Sequence, residues 1–209
     1  KMHWRLDNSL ISEKWDVSRK KFLIITEVKT TLIERMQVLL SNNECVVPLI
    51  VLNNDMQDTD DVYRYILQRA HEATQIIEYN DINHIFYFST ECEVDCGQSN
   101  CFSNIHFLRF LVKEIASKET KREMRFSVIA SYVNSVDSSE KIIQPMSAAL
   151  FGFAKIIEME NLNMVCQCID IDNETTIEEI LAECFVDMPL RKIALRKHKR
   201  YKEELTICN

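Results

Sequence analysis

Two glycines, Gly97 and Gly152, in a chain of 209 residues restrict what this protein can do more sharply than any motif it carries. Ordinary usage of about 7% would supply roughly fifteen. Turns that cradle phosphate use glycine because a Cβ atom holds the ligand away from the backbone amides. Neither GxGxxG nor GxxxxGK can be written with the glycines present. Functions that depend on a glycine-rich loop are therefore disfavoured before any fold is considered.

The rest of the composition is that of a packed domain. With 46% hydrophobic residues the chain can build one continuous core, so a single domain over residues 1–209 is expected. No apolar run reaches the length of about eighteen residues that a membrane span needs. The chain begins Lys1, Met2, His3, Trp4, Arg5 rather than with an apolar signal core, and a cytoplasmic protein without membrane contact is expected. A formal charge of −7 argues against nucleic acid as a partner, although residues 191–202 hold seven Lys or Arg and no acid. That stripe reads either as a rim that pairs with an acidic partner or as a sheet edge guarded by lysines. Of the eight cysteines, Cys45, Cys101, Cys166, Cys168, Cys184 and Cys208 lie in or beside apolar stretches, where the thiol packs as a small hydrophobe. Cys92, Cys96 and Cys101 cluster, but with no histidine before His106 they fall short of a structural zinc set, and no metal is expected.

Short apolar runs alternate with helical stripes along the chain. Residues 21–26 (KFLIIT) have the length and composition of a strand buried on both faces. Val28, Leu32, Met36, Leu39 and Leu40 then fall at helical spacing. Residues 45–52 (CVVPLIVL) read as a second strand, at an edge or broken locally by Pro48. A helix follows through Val62, Ile66, Ala70, Ala73 and Ile77, then a strand at His84–Ser89. Asn104 is placed to cap a helix carrying Ile105, Leu108, Val112 and Ile115, ahead of a strand over residues 125–132. Pro145 suits the first turn of a helix through Ala149, Phe153 and Ile156. Residues 164–170 alternate as a strand with one exposed face would, and Thr175 with Glu178 spells a capping box. Residues 191–196 read as the last strand, with Tyr201 and Leu205 in a polar tail. This order predicts an α/β fold, Rossmann-like, with a mainly parallel sheet and helices on both faces. Residues 1–17, bearing Trp4, Leu6, Leu10, Ile11 and Trp15, precede the first buried strand and are expected to pack outside the core, on a neighbouring domain.

Catalytic constellations are scarce. The turn after the first buried strand is Thr26-Glu27-Val28-Lys29-Thr30, where side chains block close approach and Glu27 would repel phosphate. No tyrosine has a lysine four positions later; the nearest counterpart is Phe151 with Lys155, and phenylalanine has no proton to give. Phe151 is expected in the core and Lys155 in solvent. The five histidines have no sequence partners that suggest a nucleophile, and the acids from Asp170 to Asp187 read as a solvated helix face.

Residues 144–172 (QPMSAALFGFAKIIEMENLNMVCQCIDID) resemble a stretch of the ketoreductase region of modular polyketide synthases. Pro145, Ala148, Ala149, Leu150, Gly152, Glu158 and Asp170 to Asp172 match that pattern in order and spacing, while Phe151, Ala154 and Lys155 replace a usual tryptophan, glycine and arginine. The similarity extends to an early tryptophan-bearing strand at Met2–Leu6 and a closing segment over residues 191–205, and is strong from about Ser127 onward. It implies the structural subdomain of that region: a truncated, short-chain-dehydrogenase-like fold without a cofactor of its own, or a pseudo-ketoreductase. It also implies that a glycine-rich catalytic subdomain would lie beyond Asn209. The expected partner is then a catalytic ketoreductase subdomain or a methyltransferase in the same polypeptide, with an acyl carrier protein as a second partner. The expected interface is Trp4, Trp15, Ile193, Leu195, Arg196, Arg200 and Tyr201. A free-standing carrier-docking module is the alternative.

Overall fold

A computed structural model describes residues 2–7, 17, 19–52, 59–89, 99–118, 122–137, 140, 143–186 and 190–205. Its strands are β1 (Met2–Leu6), β2 (Phe22–Thr26), β3 (Leu49–Val51), β4 (His84–Ser89), β5 (Met124–Ser131), β6 (Met164–Ile171), β7 (Lys192–Arg196) and β8 (Lys199–Leu205). The helices are α1 (Thr31–Ser41), α2 (Thr59–Asn80), α3 (Ser99–Ser117), α4 (Pro145–Glu160) and α5 (Ile177–Cys184). All the strands join one sheet in the order β1-β8-β7-β6-β5-β4-β2-β3. Pairing is parallel from β3 to β7 and antiparallel for β7–β8 and β8–β1.

Strand alternation assigns the two faces. Leu23, Ile25, Ile85, Tyr87, Phe126, Val128, Cys166 and Cys168 pack under α2, α3 and α4. Phe22, Ile24, Phe86, Phe88, Ile129, Ile169, Ile193 and Leu195 pack under α1 and α5. The expected α/β layering with helices on both faces is therefore the fold observed. From β2 the chain passes outward to β3, then back across β2 to β4, so the sheet reverses direction beside the C-terminal ends of β2 and β4. In open α/β sheets that reversal opens the crevice where ligands bind.

Several local expectations change. The second strand shortens to β3, an edge strand, because Pro48 just before it can only accept a bond, which its carbonyl does from the Ile24 amide at 3.0 Å. α3 starts at Ser99, so Asn104 is not its cap. The capping box is Thr176 with Glu179, one residue later than the sequence suggests, because the Thr175 hydroxyl is already donating to Asp172 Oδ1 at 2.7 Å. The core stripe of α4 is Leu150, Phe151, Ala154 and Ile157, while Ala149 and Ile156 face solvent. β6 has no exposed face: Gln167 and Asp170 are as buried as their apolar neighbours.

The largest correction concerns the ends. The segment taken as a polar tail is β8, folded back on β7 by a two-residue turn in which Lys197 (φ 52) and His198 (φ 58) are both left-handed. Such turns usually advertise themselves with Asn-Gly. Here the strain is offset by tertiary bonds: the Lys197 amide donates to Asp172 Oδ2 at 2.7 Å, and His198 Nδ1 lies 3.1 Å from Glu179 Oε1. β1 then pairs with β8, so the first part of the arm expected to pack elsewhere completes the chain's own sheet. Leu10, Ile11 and Trp15 lie outside the described residues, as do Cys92, Cys96 and Cys208.

Candidate functional site

The first strand-to-helix turn is closed by its own side chains. Thr26 Oγ1 donates to the Val28 carbonyl at 2.7 Å and accepts from the Val28 amide at 3.3 Å. Thr30 caps α1 by accepting from the Ile33 amide at 3.4 Å. Glu27 does not reach outward to repel a ligand. Its carboxylate accepts from Asn104 Nδ2 of α3 and hydrogen-bonds Ser89, filling the crevice where the sheet reverses. Burial raises its pKa to about 7, against a smaller lowering by the Ser89 bond. A buried carboxyl group with its Asn104 and Ser89 partners thus lies beside the first turn, on the α3 face.

On the helix after β5, Phe151 is core and Lys155 is exposed, the arrangement read from the sequence. The loop between β5 and α4 is held by a buried ionic network that the sequence reading did not assemble. Asp170 accepts from the amides of Val133 (3.0 Å) and Asn134 (2.8 Å), and from Asn134 Nδ2 at 2.9 Å. Arg196 meets Asp170 Oδ1 at 2.8 Å and Glu140 Oε1 at 3.1 Å, and also donates to the carbonyls of Asp170 and Asn134. Glu140 in turn accepts from the amides of Val136 and Asp137. Opposite charges were legible in the sequence, but Glu140 and Arg196 are 56 positions apart, and nothing local links them.

Two concavities flank these features. A cleft of about 650 Å³ opens between the N-terminal ends of α1 and α5, lined by Val28, Thr31, Arg35, Ser131, Thr176 and Ile177 among others. A groove of about 480 Å³ runs between α4 and the outer strands, past Phe151, Gly152, Lys155, Lys192, Glu203 and Met2. Among the described residues, no cluster of three or more His, Cys, Asp or Glu could hold a metal ion.

The expected interface residues separate into two sets. Ile193 and Leu195 are core under α5, Arg196 is 2% exposed at the centre of the ionic network, and Arg200 is bound by Asp7 and Glu183. Ile193, Leu195 and Arg196 are buried in β7, which β8 separates from the sheet edge, whereas Arg200 lies in β8 with its side chain 11% exposed. Trp4 and Tyr201 do lie on the outer strands, half-buried, and Trp15 is outside the described residues. Several members of the cationic stripe have acidic neighbours within the chain. Arg191 pairs with Glu158, Lys192 with Glu203, Lys197 with Asp137 and Lys202 with Glu204, with Arg191 and Lys197 still largely exposed.

No protein-family model and no curated protein matches this sequence. Solved structures do match its fold. One, an adenylation, ketoreductase and pseudo Asub multidomain structure of a keto acid-selecting NRPS module, superposes with a TM-score of 0.74 at 15% identity, over 97% of this chain and 18% of its own. An A1-type ketoreductase gives 0.67 at 11% identity, over 97% of this chain and 41% of its own. A C2-type ketoreductase from a modular polyketide synthase gives 0.66 at 10% identity, over 100% of this chain and 44% of its own. The chain thus has the fold found in ketoreductase regions of such modules and spans less than half the length of each of these structures.

Proposed function

We propose that the chain is a non-catalytic structural subdomain that supports a neighbouring catalytic ketoreductase or methyltransferase of a modular synthase. The observation that carries this reading is the apolar outer face of β1 and β8. Register puts Met2, Trp4 and Leu6 on one face, opposite Leu205, Glu203 and Tyr201. Met2 is 60% and Leu6 43% exposed, and α4, on that side of the sheet, lies against β5 and β6. Lys192 sits 5.3 Å from the Trp4 ring and 2.9 Å from Glu203, giving the patch a polar border. An apolar centre with a polar rim is the anatomy of a surface that another domain covers. The Glu27-filled crevice and the Phe151–Lys155 pair support the non-catalytic half of the reading. Partner residues of the interface are proposed as Trp4 and Tyr201, joined by Met2 and Leu6.

The test is the double substitution Met2→Lys with Leu6→Lys. In the parent polypeptide it is expected to release the neighbouring domain, seen as faster proteolysis at the junction and a loss of reductase activity of about tenfold or more. The isolated chain should keep its unfolding midpoint, since both side chains are exposed. Unchanged activity and proteolysis in the parent would refute the docking role.

A further inference from the structure

Resting on the docking role above, we propose that the groove between α4 and the outer strands seats one α-helix of the neighbouring domain, lying alongside α4 with an acidic residue near Lys155. On this face of the sheet α2, α3 and α4 form a layer that ends at α4, which lies against β5 and β6. β7, β8 and β1 continue the sheet beyond it. Strands at about 4.8 Å spacing make that remainder a strip of about 14 Å, and one helix with its side chains is about 10–12 Å across. The strip has room for one more helix in the layer and not for two. A strand would not fill it, because strands join a sheet at its edge rather than on its face.

The walls fit the same occupant. Ala148, Gly152, Lys155 and Glu158 line the groove from α4 at helical spacing, a wall about 15 Å long, or nearly three turns. A Cβ built on Gly152 meets nothing within 4 Å, so at Ala148 and Gly152 a second helix can approach α4 closely. Val133, Phe151, Cys166 and Cys168 make an apolar floor, and exposed Met2 borders the outer side. Charge selects the partner's acid. Arg191 pairs with Glu158 at 3.1 Å and Lys192 with Glu203 at 2.9 Å, which leaves Lys155 as the lining cation in no ion pair among the described residues. Arg196, Asp170 and Glu140 bond one another beneath the β5–α4 loop, all of them buried. Arg5, Lys202 and Glu204 lie on the opposite face of the sheet. A helix that is apolar toward the floor and carries a carboxylate beside Lys155 satisfies both the shape and the charge.

The experiment places the photoreactive residue p-benzoylphenylalanine at position 148 or 152 of the parent polypeptide. Ala148 and Gly152 are exposed, so the isolated chain carrying either replacement should keep its unfolding midpoint, which verifies the fold. Irradiation is expected to link both positions to one segment of the neighbouring domain, at sites three, four or seven residues apart. Lys155→Glu should lower the yield severalfold by repelling the acid. No link, links scattered over several segments, or a yield unmoved by Lys155→Glu would overturn the helix seat. If Met2→Lys with Leu6→Lys still releases the neighbouring domain, such a result counts against the seat alone; if that pair also has no effect, the docking role falls with it.

Discussion

At Arg196 a guanidinium, 2% exposed, bonds two carboxylates, the Asn134 carbonyl of the loop and the Asp170 carbonyl of β6, and so holds the β5–α4 loop against the sheet. Removing the cation leaves Asp170 and Glu140 buried with their amide donors but without a counter-charge. Arg196→Met is therefore predicted to lower unfolding stability by about 3–5 kcal/mol in urea titrations. Glu27 works in the other direction. Its folded pKa is raised from 4.5 to about 7, so the native state binds the proton more tightly than the unfolded chain. Stability gained from that proton is full below about 4.5 and is lost as pH rises through 7. Glu27→Gln, which mimics the protonated form, is predicted to stabilise the protein by about 1–3 kcal/mol at pH 8 and by little at pH 4. Equal effects at both pH values would contradict this account of Glu27.

Among the elements, α4 carries Gly152 in its interior, and a Cβ built there meets nothing within 4 Å. Its φ is not left-handed, so neither conformation nor internal packing requires glycine. Gly152→Ala is predicted to raise stability by about 0.5–1 kcal/mol, read as a shift in the denaturation midpoint. The elements also show which parts of the fold were legible in the sequence. β2, β4 and β5 announced themselves because strands covered on both faces need unbroken apolar runs. β8 did not, because KRYKEEL is polar and its turn is built from Lys197 and His198, whose left-handed backbone is held by Asp172 and Glu179 rather than by glycine. α4 was placed correctly but rotated by one position, since Ala149, Phe153 and Ile156 make as good a stripe as Leu150, Ala154 and Ile157. The candidate site was legible only as a deficiency. The missing glycines excluded a phosphate loop, but the Glu27–Asn104 contact depends on strand order, which no local pattern encodes.

For the whole molecule, a sheet of eight strands combines a first turn closed by its own side chains with exposed Met2 and Leu6 on its outermost strand. Five solved structures containing ketoreductase regions superpose on it with TM-scores of 0.62 to 0.74, which shows a shared architecture. A non-catalytic subdomain of the kind proposed binds no nucleotide cofactor of its own. Thermal unfolding in the presence of NADPH or S-adenosylmethionine at micromolar concentration addresses it most directly, because a ligand that binds only the native state must raise the midpoint. An unchanged midpoint with both compounds is predicted, whereas a reproducible, saturating rise of several degrees with either would contradict the account.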